Sequence, residues 1–187
     1  MASTTDPIQI ASENEYVRIV HVSLAAGETP PNYAPAATPT VTVDLNSGSV
    51  RYSDSVSPDN DRRPGSAAIR EIRVELKQAP ETTPLVLDAV QVEPARFKVV
   101  FENDRVRVVR LRFGPHERGV MVSHPPRVLV TLTEVSVKLL FADGRTDERG
   151  APAGVAAWLD SETLQTENVR TEPLEVILVE PKSARGF

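Results

Sequence analysis

Three histidines, a single tryptophan and no cysteine carry most of the chemistry open to this 187-residue chain. His124 stands in Met121-Val122-Ser123-His124-Pro125-Pro126, a strand-like run turned by a Pro-Pro corner. An imidazole there, with an ordinary pKa near 6.5, could act as an acid/base, which makes His124 the candidate catalytic residue. The plainer alternative is an inert ring satisfied by a backbone carbonyl at that corner. His116 and Glu117 share a Gly-Pro-His-Glu turn, and with His124 they could form a rearranged site for a divalent transition metal. His21 alternates with Val20 and Val22 and so faces away from their side of the strand. Trp158 could stack on a ligand at a pocket mouth, or be core. Arg105, Arg107, Arg110 and Arg112 form a basic ladder that could fork onto a carboxylate, although pairing with acids such as Glu93 and Glu102 is the simpler reading. Asp54, Asp59 and Asp61 lack the Gly and terminal Glu of a calcium loop and read as a solvated segment.

Composition narrows the field. With 40% hydrophobic and 25% charged residues, the chain can build a core in one large domain or two small ones. A net charge of −5 and a pI near 5.3 argue against nucleic acid and anionic lipid. The lack of cysteine excludes disulfides, thiolate nucleophiles and Cys-ligated zinc. No apolar run approaches the roughly 18 residues of a membrane span, and MASTTDPIQI is not a signal peptide, so a cytoplasmic setting is expected. Neither a phosphate-cradling Gly-rich loop nor a Gly-x-Ser-x-Gly elbow occurs.

Sixteen prolines and nine glycines between short Val/Ile/Leu-rich runs predict an all-β architecture. In ENEYVRIVHVSLAAGE, Val17 and Ile19 alternate, then Val20, Val22 and Leu24 alternate in the opposite phase. ENDRVRVVRLRFGPHE repeats this with Val106 and Val108, then Val109, Leu111 and Phe113. The shared slip predicts either a β-bulge or a strand that changes its buried face, and it marks an internal repeat. On that repeat, Thr40–Val43 aligns with Leu129–Leu132, Val50-Arg51-Tyr52 with Val137-Lys138-Leu139, and Ile69–Lys77 with Leu174–Lys182. Residues 8–10 are expected as an edge strand, Ala142-Asp143-Gly144-Arg145 as a hairpin turn and 53–67 as a polar loop. Gln78–Pro84 reads as a linker between a truncated copy, 1–83, and a fuller one, 84–187.

Residues 88–182 resemble the cupin superfamily, and small bacterial cupins in particular. The resemblance lies in FENDRVRVVRLRFGPHE, SHPP, FADGRTDE, GVAAWLD and ENVRTEPLEVILVE, in that order. Residues 11–77 resemble a degenerate second copy. The resemblance implies a double-stranded β-helix, or jelly-roll barrel, in each copy, with the two packed sheet against sheet and a homodimer to be expected. It also implies a metal held by two His and a Glu from one motif and a His from a later one. Here the first His position holds Val122 and the second His124; the Glu position falls on Val128 or Leu129, and the later His on Leu164 or its neighbour. The first copy has Tyr33 and Pro35 at the paired His positions. One imidazole cannot make a tight site, so no cofactor is expected. The implied pocket is apolar, with Val122, His124, Val130, Trp158 and Leu164 in its lining. The expected function is that of a metal-free cupin, binding a small molecule or serving structurally. The alternative is an enzyme using His124, or a metal held by His116, Glu117 and His124.

Overall fold

The computed structural model describes residues 6–28, 38–54, 67–81 and 85–183. The chain divides into two compact units, Met1–Gln78 and Ala79–Phe187.

The first unit contributes five strands: β1 (Ile8–Glu13), β2 (Val17–Leu24), β3 (Thr40–Asp44), β4 (Val50–Ser53) and β5 (Ile69–Leu76). They form one sheet in the order β1-β2-β5-β3-β4, antiparallel at every pairing. The second unit opens with a single helical turn, α1 (Ala89–Val92), capped by Asp88, whose Oδ1 accepts the Val90 N–H at 3.2 Å. Its strands are β6 (Phe97–Glu102), β7 (Val106–Phe113), β8 (Val122–His124), β9 (Arg127–Thr131), β10 (Val135–Phe141), β11 (Thr146–Ala151), β12 (Ala156–Leu159), β13 (Glu162–Asn168) and β14 (Leu174–Pro181). One sheet runs β12-β9-β14-β7-β6 and the other β11-β10-β13-β8. Between them lies a shared core: Val109, Leu111, Phe113, Val176 and Leu178 from the first, and Val137, Leu139, Phe141 and Leu164 from the second.

The all-β architecture holds, but the closed jelly-roll barrels do not. The described strands form three open sheets, and each keeps two edges. In the second unit β12 pairs only with β9, and β11 only with β10. The reason is local: β12 is four residues long, and β11, Thr-Asp-Glu-Arg-Gly-Ala, is charged and largely exposed. Such edges terminate pairing rather than extend it.

The repeat is real in its hydrogen bonds. The order β1-β2-β5-β3-β4 matches β6-β7-β14-β9-β12 strand for strand. Val17 faces Leu76 and Leu24 faces Ile69, as Val106 faces Pro181 and Phe113 faces Leu174. Both corners are built alike. Asn14 Oδ1 accepts the N–H groups of Tyr16 and Val17 at 2.9 and 2.8 Å, and Asn103 Oδ1 those of Arg105 and Val106 at 2.9 and 3.0 Å. Lys77 Nζ then donates to the Asn14 carbonyl at 2.8 Å, and Lys182 Nζ to that of Asn103 at 3.0 Å.

The phase slip is a change of buried face. β2 and β7 pair with β5 and β14 in unbroken register, so neither contains a bulge there. The irregularity lies on the neighbour: β1 shifts between Ile10 and Ser12, opposite Val20 and Ile19, and β6 between Val99 and Phe101, opposite Val109 and Val108. In β7, Arg107 shares a face with Val109, Leu111 and Phe113, so that face passes from a charge to apolar core along the strand.

Two pieces of the repeat alignment are corrected. Val41 faces Val74 as Val128 faces Val179, so Thr40 matches Arg127 and not Leu129. Val50-Arg51-Tyr52 lies beside β3 as Ala156–Trp158 lies beside β9, whereas Val137–Leu139 belongs to the other sheet. Among the described residues the first unit has no counterpart of that four-stranded sheet. The two copies differ in sequence on the facing strand. Where β14 turns Val176, Leu178 and Glu180 inward, β5 carries Glu71, Arg73 and Glu75. Arg51 binds Glu71 at 2.5 Å and Arg18 binds Glu75 at 3.3 Å, so on this face ion-paired charges of β5 stand beside the small apolar cluster of Val20, Val22 and Leu24.

Ile8–Glu13 is the expected edge strand, and Asp143-Gly144 makes the expected hairpin turn, with Gly144 at φ +84°. Tyr33, Pro35, Asp59 and Asp61, most of the 53–67 loop, and 82–84 of the linker lie outside the described residues.

Candidate functional site

Between the two sheets of the second unit is a cavity of about 200 Å³. Its walls are apolar: Leu111, Leu129, Leu174, Val176 and Leu178 from one sheet, and Val135, Val137, Leu139 and Leu164 from the other. Its polar groups are few, and four of them form one cluster: His124, Arg127, Arg149 and Glu162. Register explains the gathering. Glu162 sits opposite His124 on the β13–β8 pair, and Arg127 shares a strand face with Leu129 and Thr131.

Within the cluster Glu162 is shared between two guanidiniums. Arg127 donates to its Oε2 at 3.0 Å and Arg149 to its Oε1 at 2.9 Å. Arg127 also donates to the carbonyls of Pro125 at 3.2 Å and Asp160 at 3.1 Å, while its Nε, buried, has no hydrogen-bond acceptor. Burial pulls the Arg127 pKa below its ordinary value, and Glu162 opposes that shift. Arg149 reaches solvent and holds Asp147 at 3.1 Å on its other side. Thr131 turns its hydroxyl to the Pro152 carbonyl at 2.7 Å and is satisfied without a ligand.

His124 is 4% exposed, packs its ring 5.6 Å from that of Phe97, and has no hydrogen-bond partner for Nδ1. Burial, reinforced by the charges of Arg127 and Arg107, holds its pKa well below 6.5. The ring is therefore neutral at physiological pH, a hydrogen-bonding group and a weak base.

A second buried charge cluster lies outside the cavity lining. Arg107 donates from Nε to Glu180 Oε2 at 2.6 Å and forks onto both oxygens of Asp88, at 2.7 and 3.1 Å. Burial works against the Arg107 charge, but Asp88 and Glu180 hold its pKa above the ordinary value. Asp88 thereby ties the turn α1 to β7. The basic ladder resolves accordingly: Arg107 is a buried structural cation, and Arg110 and Arg112 both meet Glu175.

Of the five pocket residues expected from sequence, His124 and Leu164 line the cavity. Val122 is buried in the same core but is not in the lining. Val130 and Trp158 are not in it either, for a reason of parity. Leu129 and Thr131 of β9, and Ala157 and Leu159 of β12, face the cavity, which turns Val130 and Trp158 to the opposite side of the sheet. Trp158 instead donates Nε1–H to Asp160 Oδ1 at 3.1 Å. Arg127, Arg149 and Glu162 were not anticipated. The available signal was Arg127's shared parity with Leu129, which no motif marks.

The residues do not fit a metal. His116 sits in the turn after β7 at φ +54°, and Glu117 accepts the Gly114 N–H at 2.6 Å and pairs with Arg96, while His124 lines the cavity. Among the described residues no group of three His, Asp or Glu side chains is placed to hold an ion. At the positions where the resemblance puts the first His and the Glu stand Val122 and either Val128 or Leu129, with the later His at Leu164 or its neighbour, and hydrocarbon ligates nothing.

No family model matches the chain, and no curated protein does. Solved structures do. A cupin 2 conserved barrel domain protein from Leptotrichia buccalis aligns over 97% of this chain and 92% of its own, with 12% identity and a TM-score of 0.52. A cupin domain from Bordetella pertussis aligns over 46% of this chain and 92% of its own, with 21% identity and a TM-score of 0.43. With two units sharing one sheet plan and a nearly full-length match to a cupin, the chain has the fold of the cupin superfamily.

Proposed function

We propose that the second unit is a metal-independent small-molecule-binding module whose occupant enters the cavity between its two sheets. One observation carries this reading: Leu164, at or beside the later His position, and Leu129, one of the two residues at the Glu position, are walls of an apolar cavity that ends at a buried polar cluster. A concave apolar pocket with a few convergent polar groups is the usual form of a small-molecule site. A cytoplasmic setting, a homodimer and the absence of a nucleic-acid partner belong to the same reading; the net charge of −5 supports the last of these. No helix among the described residues is long and apolar enough to cross a membrane.

The test is calorimetric titration of an apolar small-molecule panel into wild type and Ala157→Phe, with and without a chelator. Ala157 is the exposed residue of edge strand β12 and lines the cavity, so a phenyl ring there fills space without entering the core. Binding at one site per chain, indifferent to chelator and lost in Ala157→Phe, is expected. Binding that needs a metal, or that survives Ala157→Phe unchanged, overturns the reading, as does a panel in which nothing binds.

A second reading, an enzyme with His124 as acid/base, is favoured by the neutral imidazole in the cavity lining with an unpartnered Nδ1. Its lowered pKa restricts it to accepting a proton from an acidic donor. Turnover of a bound panel member that His124→Asn abolishes, with affinity retained, would select this reading.

A further inference from the structure

We infer that the cavity takes a compact apolar monocarboxylate of about eight to ten non-hydrogen atoms, its carboxylate seated at Arg127 and Arg149. This inference rests on the reading of the cavity as a binding site and adds the ligand's size, charge and orientation. Size follows from volume. A dry apolar cavity of roughly 150 Å³ accommodates benzene, and this one is about 200 Å³. A six-membered ring or a short branched chain with one small polar group fills it.

Charge follows from the polar cluster. Of the three charged side chains lining the cavity, two are cations, Arg127 and Arg149, and one is an anion, Glu162. Asp147 contacts Arg149 from the solvent side, and Glu180 supports the Arg127 charge, but neither lines the cavity. His124 contributes no charge. A carboxylate supplies a second negative charge facing the two cations of the lining, and guanidinium forks match its geometry. Orientation follows because the rest of the lining is hydrocarbon, apart from Thr131, whose hydroxyl is already satisfied, and Thr166. Polyhydroxylated or multiply charged ligands would strand polar groups against leucine and valine walls.

The experiment compares benzoate and hexanoate with their uncharged counterparts, benzyl alcohol and hexanol, and with gluconate, by titration into wild type, Arg149→Gln and Ala157→Phe. Arg149 reaches solvent, so its substitution leaves the core intact; circular dichroism checks this. The expected result is that benzoate or hexanoate binds wild type at least tenfold tighter than its alcohol and gluconate does not bind. Arg149→Gln should remove most of that preference and leave alcohol affinity unchanged. Alcohols binding as tightly as acids, with both lost in Ala157→Phe, would overturn the carboxylate assignment while the binding-module reading stands. If neither acids nor alcohols bind, both fall.

Discussion

Tyr52 and Trp158 occupy the same place in two copies of one sheet: Tyr52 faces Val41 on β3, and Trp158 faces Val128 on β9. Each then bonds the acid two residues on, Tyr52 Oη donating to Asp54 at 2.6 Å and Trp158 Nε1 to Asp160 at 3.1 Å. The five-stranded sheet is the conserved unit of this duplication, and the four-stranded sheet, with the cavity it closes, is found only in the second copy among the described residues. The proposed binding site therefore belongs to one unit even where the hydrogen bonds of the two agree.

The matching Asn corners should weigh alike. Asn14 and Asn103 each accept two backbone N–H groups through one side-chain oxygen. Replacement by Ala removes both bonds and should cost about 1–2 kcal/mol in either copy. Urea unfolding followed by Trp158 fluorescence checks Asn103→Ala, and circular dichroism checks Asn14→Ala. A neutral Asn103→Ala would mean that the corner follows from the strands and does not help to hold them.

Arg107 should be the most sensitive charged residue. Its buried guanidinium satisfies Glu180 and Asp88 at once, and its removal leaves a buried Glu180 facing no cation at that position. Arg107→Ala should destabilise by about 3–5 kcal/mol, the usual result of deleting one member of a buried pair. Arg112→Ala, on an exposed side chain paired with Glu175, should cost about 0–1 kcal/mol. Equal effects of the two in urea denaturation would contradict the burial argument.

Acid should destabilise the protein through His124 before it reaches the carboxylates. The folded pKa lies well below 6.5 because the ring is buried beside Arg127 and Arg107. Below about pH 6.5 the unfolded chain takes up a proton that the folded chain refuses, so stability falls with falling pH, by up to about 1.4 kcal/mol per unit, until the folded pKa is passed. His21, whose pKa burial also lowers, adds a slope of the same sign. The His124 share is the difference between wild type and His124→Asn in urea unfolding from pH 7.5 to 5. If that difference does not change with pH, His124 is not held neutral.

What the sequence disclosed followed from periodicity. The alternation and its slip located β2 and β7 and the repeat, because burial of alternate side chains is written directly in residue type. Strand partners were less legible. Val50–Tyr52 and Val137–Leu139 share a pattern yet belong to different sheets, since alternation records a buried face and not a neighbour. Closure into barrels was overestimated because it depends on edge strands β11 and β12, whose charge and brevity mattered more than the motif order. In the site, His124 and Leu164 were legible from motif spacing, whereas Trp158 and Val130 were assigned to the cavity by residue type against their strand parity. Arg127, Arg149 and Glu162 lie on β9, β11 and β13, no two of which are neighbours in a sheet, so no local signal specifies their meeting.

Register also shows how metal binding could be built into the fold. Val122 faces Leu164 across the β13–β8 pair, and His124 follows Val122 by two residues on the same face. Val122→His with Leu164→His would bring three imidazoles to one patch of core, enough for a zinc or nickel site with an open position. Two unpaired buried imidazoles would weaken the metal-free variant, by about 2–5 kcal/mol for the lost apolar burial alone. Metal at a hundredfold above its Kd would return about 2.7 kcal/mol. The double variant should therefore gain a zinc- or nickel-specific rise in melting temperature that wild type lacks and magnesium does not produce. A rise of the same size in wild type would show that ligands other than these positions hold the ion. No rise in a folded double variant would show that the β8–β13 register does not converge the three rings.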